Sequence, residues 1–407
     1  MTATATAPTR PSWRDAAASF GRAIRRVGRN VAPLGWMAVV LGIACMVIAH
    51  LSGWVEFATI AAGLAIGLAV GLACTVGRQE LDVAVRFEPA RVVAGETAVG
   101  SVSATNAGRR RLLPFRLAAP IGTGRYSGSV PSLAPGGTFD DGFILPTQRR
   151  ARLTIGPFTS VRGDPIGFVA RTASWTKPED FYVHPVTSNL NSLTAGWLND
   201  LEGVSTNDLS MNDVAFHTLR QYVPGDDRRH VHWKSSAKTG TLMVRQFVDT
   251  RRSHLGTLLS NDPSEYANPD DYELGVSVVG SLGRRALLDG QEVTSIVGEQ
   301  ALGAATATQL LDSLSGVELV EGSGLSAAVS RAADALSKVS VVVLVTGHGV
   351  DLATLRMNAE RLPRGLRVVG IRVRRGAGSA LRRSGTVTVI ELGDLESLDA
   401  LVRAASA

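Results

Sequence analysis

Two stretches, residues 32–49 and 57–76, run without a charged side chain, and nothing else in the chain narrows its fold so much. Each is close to the ~20 residues that a bilayer core asks of a helix. Lipid offers no partner for backbone N–H and C=O groups, so a run of this kind satisfies itself as a helix. The short connector, residues 50–56, predicts a tight transmembrane hairpin spanning 31–77. A cleavable signal peptide is disfavoured for the first run, because a long basic region precedes it and a second run follows at once. Arg10, Arg14, Arg22, Arg25, Arg26 and Arg29 lie before the first run, and Arg78 and Arg86 after the second. The connector holds Glu56 and no Lys or Arg. The positive-inside bias then places both ends in the cytoplasm, with residues 1–30 as a basic cytoplasmic tail.

Gly63, Gly67 and Gly71 fall four residues apart in the second run. Such a face admits close approach of another helix, within the hairpin or in a homo-oligomer. At 407 residues the chain has room for two or three domains. Its two cysteines, Cys45 and Cys74, both sit in the apolar runs. No disulfide staples the rest, and a cysteine-type zinc site is excluded by count.

From 78 to 190 the pattern is of short alternating runs at 81–87, 98–105, 115–118, 152–155 and 181–183, separated by Gly- and Pro-rich turns. Strands of that length and spacing predict an antiparallel β-sandwich. Asp164, Pro165, Ile166, Gly167 and Phe168 read as a turn. Arg109, Arg110 and Arg111 cluster beyond a strand end, where a membrane-tethered module would bring them near anionic headgroups.

From 254 to 407 strands and helices alternate. The run 339–346 is nearly all β-branched, as in a strand buried on both faces of a parallel sheet. The order predicts an α/β doubly wound domain. Ligands of such sheets bind beyond the carboxyl ends of the strands.

Between the two halves, residues 191–253 contain the densest set of chemical side chains, in the stretch 216–247. Pro224 and Gly225 make a turn. Asp226 or Asp227 is placed to cap a helix through 228–239, Gly240 to stop it, and 241–247 alternates as a strand. His217, His230, His232, Asp226 and Asp227 are acid/base or metal-type residues. His230 and His232 point about 200° apart on a helix, and neither an HExxH spacing nor a GxSxG elbow accompanies them. The expected arrangement is structural, with Trp233, Ala237 and His230 packing the helix on the sheet. Arg220, Arg228, Arg229, Lys234, Lys238 and Arg245 make a cationic surface plausible, as does the acid-free block holding Arg364, Arg367, Arg372, Arg374, Arg375, Arg382 and Arg383. Aromatics for stacking bases are scarce, which argues against nucleic acid. No GxxxxGK[ST] loop is present, so any ATP-driven action needs a separate motor.

The stretch resembles the signature of the bacterial domain-of-unknown-function 58 family: Phe-His-x-Leu-Arg-x-Tyr-x-Pro-Gly-Asp-Asp, then Arg, His-Trp-Lys, an Ala and Thr-Gly-x-Leu-x-Val-Arg. The matching residues include His217, Arg220, Tyr222, Pro224, Gly225, Asp226, Asp227, Arg229, His232, Trp233, Lys234 and Arg245. The resemblance implies membrane anchoring in the bacterial inner membrane, an immunoglobulin-like sandwich, a von Willebrand factor A-like C-terminal domain and association with MoxR-type AAA+ ATPases. It does not supply a biochemical activity. Metal-binding domains of that kind use an Asp-x-Ser-x-Ser loop, a Thr and an Asp to give a divalent ion its oxygen ligands. Here those positions read Ser260, Asp262, Ser264, Gly324 and Gly347 followed by His348. Only Ser264 matches, so no metal or cofactor is expected. The expected function is a membrane-anchored, non-catalytic adaptor or assembly factor. The alternative is a membrane-bound metal-dependent enzyme or hydrolase that uses the His/Asp cluster.

Overall fold

A computed structural model describes residues 32–75, 79–164, 166–191, 215–224, 228–248, 254–332, 335–336, 339–385 and 387–406. The basic tail, Gly225, Asp226 and Asp227 lie outside these residues. By internal contacts the chain divides into two units. One comprises 1–92, 96–147 and 152–182, and the other 93–95, 148–151 and 183–407.

In the first unit, helices α1 (Pro33–Ser52) and α2 (Val55–Thr75) form the hairpin. Gly53, with φ 71°, ends α1 by donating its N–H to the Ala49 carbonyl. At 1.5 Å per residue, 20 residues reach roughly 30 Å, the thickness of a bilayer core. Both helices are long and apolar enough to cross a membrane, and most of their side chains are exposed rather than packed in a core.

Strands β1 (Leu81–Glu88), β2 (Arg91–Val93), β3 (Val99–Asn106), β4 (Phe115–Ile121), β5 (Gly124–Val130), β6 (Thr138–Ile144), β7 (Ala151–Ile155), β8 (Thr159–Gly163), β9 (Ala170–Ser174) and β10 (Glu179–His184) follow. They form a three-stranded sheet, β1-β3-β6, and a larger one in the order β2-β10-β7-β4-β8-β9 with β5 on β4. Burial alternates along β3, with Val102 and Ala104 inside, as one covered face requires. The rings of Phe143 on β6 and Tyr126 on β5 lie 5.1 Å apart, and those of Phe87 on β1 and Phe181 on β10 lie 5.6 Å apart, which joins the two sheets through their inner faces.

The sequence-predicted turn at 164–168 links β8 to β9. Asp164 organises it: its carboxylate accepts N–H bonds from Ile166 (3.1 Å), Gly167 (3.0 Å) and Val169 (2.7 Å). Burial pushes this carboxyl up, but the N–H donors outweigh that and hold it below its usual range.

The second unit holds a two-stranded ribbon, β11 (Ala215–Gln221) with β12 (Met243–Val248), and between them the short helix α3 (Trp233–Thr239). Its main sheet contains β13 (His254–Leu259), β14 (Glu292–Val297), β15 (Gln300–Leu302), β16 (Val341–Gly347), β17 (Arg367–Val373), β18 (Ala380–Ser384) and β19 (Val387–Leu392), in the order β15-β14-β13-β16-β17-β19-β18. The five inner strands are parallel, while β15 and β18 are antiparallel edges. Helices α4 (Pro269–Leu288), α5 (Ala307–Ser315), α6 (Leu325–Ala332), α7 (Leu352–Glu360) and α8 (Leu398–Ser406) complete it. The doubly wound α/β expectation is met in this alternation. Strands β13 and β16 are buried throughout, and separate clusters of apolar side chains cover the two sheet faces, one around Val276, Leu282 and Ile371, the other around Leu258, Ala328 and Leu355.

Candidate functional site

Strand β13 is the topological pivot. The chain leaves it through α4 to β14 on one side, and returns through α5 and α6 to β16 on the other. Loops that follow β13 and β16 therefore meet at one edge of the sheet, the place where doubly wound folds bind ligands.

The loop after β13 begins at Ser260, which is fully buried and donates its N–H to the Val345 carbonyl (2.9 Å). Its carbonyl accepts the Tyr266 hydroxyl at 2.6 Å. Asp262 caps a 3-10 turn, Pro263–Glu265. Its Oδ1 accepts the Ser264 N–H (2.9 Å) and hydroxyl (2.7 Å), and its Oδ2 accepts the Gly322 N–H (2.8 Å). The Ser264 donors, with that of Gly322, hold the Asp262 carboxyl below its ordinary range.

Glu265, which the sequence reading passed over, stands at the centre. Its Oε2 accepts the Thr346 hydroxyl at 2.6 Å, and its Oε1 accepts the Leu325 N–H, at the start of α6, at 2.9 Å. Its carbonyl accepts the Gly349 N–H at 3.0 Å. A Cβ on Gly324 would collide with Glu265 Oε1, and one on Gly347 with the Glu265 carbonyl oxygen. The two positions without side chains thus give Glu265 its space. The signal was present in the sequence as an acid directly after Ser264, facing loops with glycines at 324, 347 and 349.

The third loop rests on a cation. Arg372 is buried, donates to the His348 carbonyl (2.9 Å), and pairs with Glu391 (3.2 Å), which also accepts from Arg382 (2.9 Å). The 364–383 block is therefore not the uniform cationic surface the sequence suggested. Arg372 lies inside with an acid from β19, and Arg367 donates to the Ala405 carbonyl. The block lacked acids only along the chain.

These residues do not fit a hard divalent ion. Such an ion takes oxygens in a regular array, and here both carboxylates already accept from protein donors while positions 324 and 347 offer no side chain. Among the described residues no group of three His, Cys, Asp or Glu side chains is placed to hold a metal.

The signature stretch folds differently from its prediction. The helix expected over 228–239 is a 3-10 turn at Arg228–His230, then a break, then α3. Val231 leaves the helix to bridge Val244 of β12, and His232 takes the capping role assigned to Asp226 or Asp227. Its Nδ1 lies 2.8 Å from the Ser235 hydroxyl and accepts the Ser235 N–H. Gly240 ends α3 with φ 70°, as predicted.

Trp233 and Ala237 do not pack on a sheet: both are exposed, Trp233 by 68%, and among the described residues of the stretch the buried side chains are Val231, Ser236 and Val244. Lys234 and Lys238 are exposed on the same helix, and Arg245 on β12. Arg220 donates to the Gln221 carbonyl, Tyr222 is half-buried and Pro224 exposed. His217 is part of β11, and Asp226 and Asp227 lie outside the described residues.

Residues 218–403 match the family described as "Protein of unknown function DUF58". A relative from Bacillus subtilis (strain 168), "Uncharacterized protein YeaD", is 27% identical over 196 residues, covering 44% of this chain and 48% of that protein. The chain thus spans about half the length of that relative. Among solved structures, the CARDB domain of the PF1109 protein from Pyrococcus furiosus, in complex with di-metal ions, covers 26% of this chain and 86% of its own at 19% identity and a TM-score of 0.20. The putative ApaA protein from Bordetella pertussis covers 26% of this chain and 95% of its own at 21% identity and a TM-score of 0.18. Likenesses of that size carry no argument, and the fold stands on its own strand order and register. The match over residues 218–403 agrees with the family resemblance carried by the signature beginning at Phe216.

Proposed function

We propose that this protein is a membrane-anchored, non-catalytic adaptor or assembly factor that works with a MoxR-type AAA+ ATPase. In this reading the hairpin crosses the bacterial inner membrane with both termini and the soluble domains in the cytoplasm. The β-sandwich is immunoglobulin-like and the doubly wound domain von Willebrand factor A-like.

The observation that carries the proposal is Trp233. An indole left 68% exposed, on a helix with Lys234 and Lys238, is the type of side chain that anchors protein interfaces. The sheet edge, by contrast, has its carboxylates engaged internally and works as a rigid platform. Purification of the full chain from membranes tests the reading. Wild type should retain an AAA+ ATPase, and Trp233→Ala should lose it while remaining folded. A wild-type protein that retains none removes the pairing; a Trp233→Ala protein that retains it equally moves the contact elsewhere. A stoichiometric divalent ion in the purified protein would turn the reading toward the metal-dependent enzyme.

A further inference from the structure

The turn between β8 and β9 lies alongside the open end of the helical hairpin. Phe168 packs with Ala38 of α1 and with Leu64 and Leu68 of α2. Its Cε2 sits 3.1 Å from where a Cβ on Gly67 would be, and Asp164 faces Gly71 in the same way. The Phe168 carbonyl accepts the Ala32 N–H at 2.9 Å. The turn therefore reaches from the first residue of the hairpin to the level of Ala38, roughly 8 Å along α1.

That level matters because the hairpin has no length to spare. Trp36 in the first turn of α1 and Trp54 just past its last residue, both exposed, stand at opposite ends of that helix, where the two interfacial aromatic belts lie. Phe168 is thus deeper than the belt that Trp36 marks. Ile166, in the turn between Asp164 and Phe168, is 59% exposed. The backbone suits such a place: the N–H groups of Ile166, Gly167 and Val169 all donate to Asp164, so none needs water. The sheet end nearby carries the exposed Arg109, Arg110 and Arg111, since β3 ends at Asn106 opposite Leu81, where the chain enters from α2.

We infer that the 164–168 turn is a third membrane contact, which seats Ile166 in the interfacial region of the leaflet at the open end of the hairpin. The partner is lipid, and the arginines lie at headgroup level. This rests on the hairpin crossing the membrane, so the experiment reads both. In full-length protein with Cys45 and Cys74 replaced, single cysteines at Ile166, Val47 and Ile144 carry an environment-sensitive fluorophore in vesicles of mixed neutral and anionic phospholipid. Val47 is an exposed side chain of α1, and Ile144 lies at the far end of the three-stranded sheet. Expected are a blue shift at Ile166 with loss of emission to a shallow spin-labelled lipid, quenching of Val47 by a deep one, and neither at Ile144. An Ile166 label that behaves like Ile144 while Val47 is quenched overturns the inference alone. A Val47 label untouched by lipid quencher removes the hairpin reading beneath it. A blue shift at Ile166 without lipid quenching assigns the site to a protein cover and also overturns the inference.

Discussion

The Thr346 hydroxyl donates to the Glu265 carboxylate across 2.6 Å, and through that bond the loop after β13 is tied to the end of β16. The other oxygen of the same carboxylate holds the first N–H of α6. One side chain thereby links three loops at the sheet edge, with a negative charge at a helix start, where the dipole favours it.

Replacing Glu265 by Ala leaves the fully buried Thr346 hydroxyl and the Leu325 N–H without their acceptor. An unsatisfied buried polar group costs about 1–3 kcal/mol. Glu265→Ala should lower the denaturant midpoint accordingly, and Glu265→Gln, which keeps an acceptor oxygen, should lower it less. Equal midpoints for wild type and Glu265→Ala would show that the linkage contributes nothing.

The two glycines that face Glu265 should respond unequally to a methyl group. At Gly324 the obstacle is the carboxylate end of a side chain, which can rotate away. At Gly347 it is the Glu265 carbonyl, part of the backbone. Overpacking of this kind costs about 1–3 kcal/mol. Gly347→Ala should be the more destabilising in thermal unfolding, and the reverse order would place the rigid neighbour elsewhere.

Asp262 makes the same edge sensitive to acid. Its folded carboxyl is held below the ordinary value by Ser264 and Gly322, so between the two pKa values the unfolded chain binds more protons. Stability then rises with pH across that interval. The contribution is present above the unfolded pKa of about 3.9 and is lost as pH falls through the folded one. Asp262→Asn should flatten the acid limb of a plot of stability against pH and leave its shape near neutrality unchanged.

What the sequence disclosed and what it concealed follow from the range of the forces involved. Strand β16 was legible within two residues of its bounds, because burial on both faces writes itself as a nearly unbroken apolar run. The edge strands β15 and β18 were missed, since Gln300–Leu302 is short and Ala380–Ser384 is largely polar. Glu265 was overlooked because its partners, Leu325 and Thr346, are 60 and 81 residues away. Arg372 was counted as surface charge because its acid comes from the neighbouring strand. Trp233 was assigned inward on the premise of a continuous helix, and the break at Val231 turned it out.

Trp233 and Val231 offer a paired test of that reversal. Trp233 is exposed, and Val231 is 7% exposed against Val244. Trp233→Ala should change stability by no more than about 0.5 kcal/mol, as surface substitutions do. Val231→Ala should cost about 1 kcal/mol or more. A large loss on removing the indole would return it to the core.

The stripe Gly63, Gly67 and Gly71 was read as a face for helix pairing, and its three positions now have different surroundings. A Cβ on Gly63 meets nothing within 4 Å, while one on Gly71 would come within 3.2 Å of Asp164 and one on Gly67 within 3.1 Å of Phe168. Within the chain, two of the three glycines thus make room for the turn after β8. Leucine at Gly71 should push Asp164 off its backbone donors, and the amides of Ile166, Gly167 and Val169 should exchange hydrogen faster. Leucine at Gly63 should leave those amides protected. If Gly63→Leu instead changes the size of the detergent-solubilised particle, that position serves contact between copies, and the stripe divides between an outer partner at one end and the turn at the other.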